Sequence, residues 1–588
     1  MLNTPIFYLV RKIWQLSNEN RRQVVFYVGL FVMSNAVMLL QPIIMAHILN
    51  LIQENGVNQE NIVWLIAFMA SLPLLDFVTW CFHGPARVME RRNAFLVRAN
   101  YRQYLLSGTM ALPMEWHVDH HSGDTIDRIE KGCNAVYQFT EHGFQVVEAI
   151  VRFAGSLIAL ALFDLSAIWV VCLVVFVALR IILTFDKRLV PQYRELNRAE
   201  NKIAAKVYDA LSNISTVIIL RVEHLIEHDL VKAIRKPLTL YMHNSRLNEW
   251  KWFSASMSAG LLQFLVLGMY TLLAFRHGEV LLAGTLFALF SYTNRINDVF
   301  FTFAYLYNDI VRERTAVMNA EEIAESFPTQ IDQESKTPHQ WEVCRVNHLN
   351  FTYAAETRAK QQLSDIELSW RRGEKIAVIG ESGSGKTTFL KIVRGLHTPQ
   401  SGVVELDGRP LKNGFISMSE DIALIPQDPE IFATTIRDNI TMGVDHSDEE
   451  VLQYAERARF ASVIGRLPRG LDSSIVEKGV NLSGGEKQRL ALARGLLASE
   501  EKSILLLDES TSSVDATNEL AIYEQIFETY RDKTVIASIH RLHLLQMFDK
   551  IYMFEHGVIV AQGSFTELLE SSERFAKQWE QYSKTHKS

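Results

Sequence analysis

The sequence predicts two joined folds: an N-terminal all-α six-helix transmembrane domain with long cytosolic helix extensions, then a C-terminal α/β P-loop domain. Three observations predict it. Apolar stretches near the ~20 residues that a bilayer core needs recur through the first half. Basic residues gather on one side of the expected crossings. From about Thr337 the pattern turns to mixed strand and helix, with Gly380-Glu381-Ser382-Gly383-Ser384-Gly385-Lys386-Thr387-Thr388 set between the apolar strand Lys375–Ile379 and a helix that continues through Phe389 and Leu390.

At 588 residues the chain exceeds what one core supports, so at least two domains are expected. A net charge of −7 argues against nucleic acid as a partner. Cys81, Cys133, Cys172 and Cys344 are scattered without metal-like spacing and read as reduced structural thiols. The amphipathic N-terminus has no small-residue cleavage site, so no removable leader is expected.

Residues 1–23 read as an interfacial elbow helix, with Ile6, Leu9, Val10, Ile13 and Leu16 at helical spacing beside Arg11 and Lys12. The transmembrane domain, 24–325, holds spans at about 24–50, 62–82, 146–163, 165–185, 254–275 and 280–307. Arg11, Lys12, Arg21 and Arg22 precede the first span; Arg87, Arg91 and Arg92 follow the second; Lys187, Arg188 and Arg194 follow the fourth. The loop 53–61 and the turn at Asp164 carry no Lys or Arg. Both termini are therefore expected in the cytosol of an integral protein of the bacterial cytoplasmic membrane.

The segments between spans two and three and between four and five keep helical periodicity and are poor in Pro and Gly. The membrane helices are expected to run on into the cytosol and to end in tight coupling turns at about 112–122 and 209–216, within touch of a cytosolic domain. His117, His120 and His121 beside Asp119 and Asp124 read as a polar turn rather than a metal site, since no second ligand set accompanies them.

Ionisable residues within spans are costly. Asp76, Trp80, His83 and Arg87 form one helical stripe, and Ser291, Asn294, Asp298 and Thr302 another, with Arg295 beside it. The stripes fit either a water-filled cavity for a polar or amphipathic cargo or pairing between helices of the bundle. Glu148 and Arg152 suit an i, i+4 pair.

After a linker at 326–339, the domain 340–588 carries further signals. The glycines of the 380–388 loop let backbone N–H groups face one anion, and the following helix adds its positive end. Lys386 reaches β- and γ-phosphates, and the Thr387 hydroxyl suits Mg2+. Leu482-Ser483-Gly484-Gly485-Glu486-Lys487-Gln488 opens another helix and reads as a second anion site. The apolar strand Ile504–Leu507 delivers Asp508, suited to Mg2+, and Glu509, suited to polarising a water. Gln427 after one strand is placed to sense metal and water, His540 after another to touch the γ-phosphate, and Tyr353 to stack on a base.

In this order the pieces resemble the nucleotide-binding domain of ABC transporters. The resemblance makes Tyr353 the adenine-stacking aromatic, Gly380 to Thr388 the Walker A loop, Gln427 the Q-loop, Leu482 to Gln488 the signature, Asp508 and Glu509 the Walker B pair, Ser513-Val514-Asp515 the D-loop and His540 the switch histidine. Glu477-Lys478-Gly479 resembles the segment that meets the coupling helices in exporters. With six preceding spans, the whole chain looks like a type IV exporter half-transporter. Ser510 after Glu509, and Ser513-Val514 where Ala-Leu is frequent, are mild departures.

The resemblance implies an ATP hydrolase coupled to transport, a translocase with ATP and Mg2+ as cofactors. Two chains would sandwich two ATP molecules, with Ser483, Gly484, Gly485 and Gln488 completing each site in trans. Intact Lys386, Glu509, Ser483 and His540 point to a homodimer. The implied action is export of an unidentified cargo by alternating access, amid membrane lipid. A lipid or lipid-linked-sugar flippase and an exporter-fold importer remain alternatives. An ATP-gated channel or regulatory subunit fits the intact catalytic residues less well.

Overall fold

The computed structural model describes residues 4–585 except 121, 164, 329–340, 354–360, 429 and 476–481. The Asp164 turn, most of the linker, His121 and the Glu477–Gly479 segment therefore lie outside the described residues. The chain divides into two compact units: Met1–Ala111 with Ser122–Phe327, and Leu112–His121 with Pro328–Ser588.

The first unit is helical. It comprises α1 (Pro5–Leu16), α2 (Arg21–Met38), α3 (Gln41–Asn55) and α4 (Ile62–Met110). After α5 (Met114–Asp119), which falls in the second unit, come α6 (Ser122–Glu141), α7 (Gly143–Phe163), α8 (Leu165–Ser212), α9 (Ile214–Leu220), α10 (Glu223–Arg235), α11 (Leu238–His277) and α12 (Ala283–Ala324). α1 starts with Pro5 in its first turn, where a missing N–H costs nothing. It buries Leu9 and Ile13, and Lys12 pairs with Glu321 of α12 at 2.7 Å.

α4 has 49 residues and α8 has 48. At ~1.5 Å per residue each is about 70 Å long, well beyond a bilayer core, as the helical periodicity kept beyond the spans predicts. Among the described residues, five helical stretches are long and apolar enough to cross a membrane: Asn18–Asn55, Ile62–Met110, Ser122–Phe163, Ala167–Ser212 and Glu223–His277. α12 covers the expected sixth span but stands outside that set; Asn294, Arg295, Asn297 and Asp298 lower its hydropathy.

The expected first span, 24–50, is two helices rather than one. Pro42 has no N–H to offer the Met38 carbonyl, and the Ile43 N–H turns to Leu40 instead of Leu39. α12 supplies the missing donors: Arg295 Nη1 reaches Met38 O at 2.9 Å and the Tyr292 hydroxyl reaches Leu39 O at 2.7 Å. A carbonyl inside a bilayer needs such a partner, because lipid provides none. At the other end of the same pair of helices, Asn50 accepts from the Gly284 N–H at 2.8 Å and Gln53 from the Ala283 N–H at 2.7 Å, so α3 caps the start of α12.

Near the ends of the fourth and fifth expected spans, α8 and α11 are pinned by a buried pair. Lys251 Nζ lies 3.1 Å from Asp186 Oδ1, and the two side chains are only 1% and 9% exposed.

The second unit has two sheets. Its strands are β1 (Val343–Thr352), β2 (Gln361–Arg371), β3 (Lys375–Ile379), β4 (Ser401–Leu406), β5 (Arg409–Pro410), β6 (Ile422–Ile425), β7 (Ile504–Asp508), β8 (Thr534–Ser538), β9 (Lys550–Glu555) and β10 (Val558–Gly563). Its helices after α5 are α13 (Lys386–Val393), α14 (Ile436–Thr441), α15 (Asp448–Arg457), α16 (Ala461–Arg466), α17 (Gly484–Ala498), α18 (Ala516–Thr529), α19 (Phe565–Ser571) and α20 (Glu573–Thr585). One sheet runs β10-β9-β3-β8-β7-β6, parallel from β9 to β6; the other, β2-β1-β4-β5, is antiparallel.

β3, β7 and β8 are buried along their whole length. Alternate side chains go to opposite cores, as a period of two demands. Ala377, Leu505, Leu507, Val535 and Ala537 enter one core; Ile376, Val378, Ile504, Leu506 and Ile536 enter the other. Both faces are covered, so the strands read as continuous apolar runs. Lys375 at the start of β3 is also buried, and its ammonium donates to the carbonyls of Gly373, Tyr530 and Lys533 at 3.0, 2.7 and 2.6 Å.

Asp186→Ala should leave the Lys251 ammonium buried and unpaired, at a cost of about 3–5 kcal/mol. Replacing both partners with apolar residues of similar volume should recover most of that loss. Thermal unfolding of the detergent-solubilised protein checks both variants.

Candidate functional site

The parallel strands deliver the site residues. β3 ends at the 380–388 loop, β6 leads to Gln427, β7 ends on Asp508 and Glu509, and β8 leads to His540. In open α/β sheets ligands gather beyond these carboxyl ends.

The loop is shaped by two glycines whose geometry no other residue meets. Gly380 has φ +148°, and a Cβ there would lie 2.2 Å from the Phe554 carbonyl oxygen. Gly385 has φ +107°, with Leu363 Cδ2 at 2.7 Å from that imagined Cβ. Gly385 is the N-cap of α13, and no side chain caps the helix, so its first N–H groups are open to an anion. Ser384 Oγ is buried without a hydrogen-bond partner. An unclaimed hydroxyl among free N–H groups fits a phosphate, which offers only acceptors and charge.

Lys386 is buried, and its ammonium donates to its own loop, to Gly380 O at 2.9 Å and Glu381 O at 3.1 Å. Burial pulls its pKa down, while Glu509 and Asp508 oppose that shift. The Thr387 hydroxyl donates to Asp508 Oδ1 at 3.0 Å. Burial raises the Asp508 pKa, the Thr387 bond opposing it. One hydroxyl and one carboxylate side by side are hard oxygen donors, and they fit Mg2+.

Glu509 sits at φ +46°, an uncommon conformation for a residue other than glycine. Its carboxylate is clasped from two sides. Gln427 Nε2 donates to Oε2 at 2.7 Å, and His540 Nε2 makes a close contact with Oε1. A carboxylate has acceptor sites beyond these two, so a water can also be bound there. The structure thus brings Lys386, Thr387, Asp508, Glu509, Gln427 and His540 into one connected group.

The Ser483–Gly485 stretch begins the 15-residue α17. Ser483 caps it: its Oγ accepts from the Glu486 N–H at 3.3 Å, while Glu486 Oε2 accepts from the Ser483 N–H at 2.8 Å. The latter bond above all holds the Glu486 pKa down. A Cβ on Gly485 would lie 2.8 Å from Ser513 O, so glycine there permits a close backbone approach. Gln488 is the residue of this stretch expected to help complete a site in trans. Its side chain is buried and engaged within the chain, with Ser512 Oγ, the Gln427 carbonyl and the Ser513 N–H. Asp515 caps α18 through the Asn518 N–H at 3.0 Å.

Tyr353 is partly exposed, with its hydroxyl 3.3 Å from Thr388 Oγ1 and its ring edge-on to Phe351 and His397. His397 was not among the sequence expectations, because its partners are remote in the chain.

The residues of the two polar stripes divide between exposed positions and positions engaged within the helical unit. Asp76 and Trp80 are exposed on α4, and the His83 ring packs against Trp80, Phe31 and Phe144. Arg87 is engaged internally: it pairs closely with buried Glu90, donates to Glu141 O at 2.7 Å and lies over the Phe144 ring. Glu90 is 1% exposed, and a carboxylate that dry requires a cation beside it. Arg295 caps the α2–α3 break, Asn294 and Asp298 are exposed, and Arg152 pairs with Glu148 as the spacing predicts. In the first turn, His120 stacks on Trp116 at 4.1 Å and bonds its carbonyl, a packed polar turn.

Two family models match the chain, one described as ABC transporter over residues 363–512 and one as ABC transporter transmembrane region over 24–298. The glutathione/L-cysteine transport system ATP-binding/permease protein CydD of Bacillus subtilis is 30% identical over 459 residues, 74% of this chain and 75% of that protein. A probable multidrug resistance ABC transporter ATP-binding/permease protein, YheI of Bacillus subtilis, is 37% identical over 40% of each chain. ABC transporter B family member 21 of Arabidopsis thaliana is 37% identical over 39% of this chain and 18% of its own length. The matches to these last two thus span well under two thirds of those relatives. A solved structure of a bacterial Atm1-family ABC exporter with ATP bound shares the fold, with a TM-score of 0.83 at 22% identity over 96% of this chain and 98% of that one.

Gly385→Ala should force Leu363 aside and strain the backbone, and so abolish nucleotide binding while the domain remains folded. Nucleotide titration beside a circular dichroism spectrum checks this.

Proposed function

Since the chain belongs to the ABC transporter family, we propose that it is an ATP-driven exporter working as a homodimer. One observation carries this reading: Glu509, held by Gln427 and His540, ends the strand whose Asp508 meets Thr387 of the phosphate loop. That group suits hydrolysis, and among its described residues the same chain carries five helical stretches apolar enough for a membrane.

The N–H groups at α13 and Lys386 bind the phosphates. Thr387 and Asp508 would hold Mg2+, which would supply charge neutralisation for the phosphates. Glu509 accepts a hydrogen bond from the attacking water, and Gln427 and His540 hold its carboxylate in place. Tyr353 stacks on the base. Ser483, Gly484 and Gly485 open a 15-residue helix whose N–H groups serve the γ-phosphate held by a second copy, so closing the site closes the dimer.

α12 makes the sixth crossing, shielded by its bonds to α3, and both termini face the cytosol. The cargo leaves the cytosolic side by alternating access. A relative of which this chain covers 75% carries glutathione and L-cysteine in its name, so small thiols lead the cargoes to try. A lipid flippase would use the same ATPase.

Two experiments test this. Glu509→Gln in lipid nanodiscs should abolish ATP turnover and retain ATP binding; unchanged turnover would remove Glu509 from its role. Lys386→Ala and Ser483→Arg chains should each be inactive alone, and coexpression should restore hydrolysis, because a mixed pair keeps one whole site. No recovery in coexpressed pairs would refute the site shared between copies. ATPase rates across glutathione, cysteine, peptides and lipids would then identify the cargo class.

A further inference from the structure

α5 lies in the compact unit of the ATPase, although the chain enters it from α4 and leaves it into α6. A side-chain hydrogen bond anchors it. Glu115 Oε1 lies 2.7 Å from Nδ1 of His397, a residue just past α13. The His397 side chain is 7% exposed. A carboxylate only accepts, so Nδ1 carries the hydrogen and donates it. This fixes the ring's orientation.

The ring so fixed belongs to an aromatic group. Phe351 and Tyr353 each have their centroid 5.3 Å from that of His397, Tyr353 nearly perpendicular to it at 87°. Tyr353 and Phe351 meet edge to face at 4.8 Å. On its far side the Tyr353 hydroxyl reaches Thr388, beside the Thr387 that faces Asp508. The Tyr353 ring thus has one edge on the phosphate helix, another on His397, and a partly exposed surface where a base would lie.

We propose that His397 is a positioning residue that links base occupancy at Tyr353 to the seating of α5, through its hydrogen bond to Glu115. A base stacked on Tyr353 fixes that ring. The fixed ring favours the His397 orientation that bonds Glu115, and a seated α5 in turn favours the base. The relation is reciprocal, so loss of the Glu115 bond weakens nucleotide binding even though Glu115 does not touch nucleotide. The proposal deepens the reading of Tyr353 as the base platform and rests on it.

A mutant cycle on the full-length protein in nanodiscs tests it, with the KM and kcat for magnesium ATP as readouts. Tyr353→Ala should raise KM roughly tenfold, the worth of one base–aromatic stack. Glu115→Ala should raise KM roughly fivefold, the net worth of one hydrogen bond, and leave kcat unchanged. His397→Phe, which keeps a ring but loses the donor, should match Glu115→Ala. Glu115→Gln, which keeps an acceptor, should retain most of the wild-type affinity. In the Tyr353→Ala background, Glu115→Ala should have no further effect.

Independent, multiplying effects of Tyr353→Ala and Glu115→Ala would overturn the link while leaving the base platform intact. An unchanged KM in Tyr353→Ala would overturn the base platform and the link together. Should Glu115→Ala fail to fold, His397→Phe in both backgrounds completes the cycle.

Discussion

Three strands without a wet face set the terms for the ATPase unit. β3, β8 and β7 are buried on both sides, so none can slip by one residue without moving a whole row of side chains from one core to the other. The register is thereby fixed, and with it the level at which each strand ends. The phosphate loop, Asp508 with Glu509, and the segment leading to His540 all emerge from that edge. The hydrogen bonds from Thr387 to Asp508 and from Gln427 to Glu509 then join side chains that different strands have already aligned. The polar site is a product of apolar packing.

The membrane unit answers a different constraint, the need to satisfy every backbone carbonyl without water. Pro42 breaks the ladder, and α12 repairs it with Arg295 and Tyr292. α3 returns the service at the start of α12 through Asn50 and Gln53. These exchanges make two helices remote in sequence into one piece. They also account for part of the polar content of α12 as structural.

Much of this was legible in the chain. The 380–388 loop could be read because strand, glycines and helix are consecutive, and Asp508 and Glu509 because an apolar run points to them. The long α4 and α8 followed from helical periodicity that continues past the spans through segments poor in Pro and Gly. Pro42 was a visible signal for the break in the first span, outweighed by the apolar residues around it. The partners of Arg87 and Gln488 were not legible, because spacing reveals which face a side chain occupies and not what meets it there. Arg87 meets Glu90, three residues on, and Gln488 meets the loop that follows β7. His397 and Glu115 are 282 positions apart, and no local pattern joins them.

The placement of α5 bears on where this ATPase begins. Its compact unit is not a continuous stretch of chain: ten residues come from between α4 and α6, and the rest follow residue 327. The unit is therefore threaded, with three peptide connections to the helical part instead of one. A fragment cut at the linker would lack α5, and the His397 Nδ1–H would have no Glu115 to accept its hydrogen bond. Rates measured on such a fragment would be those of an enzyme without that contact.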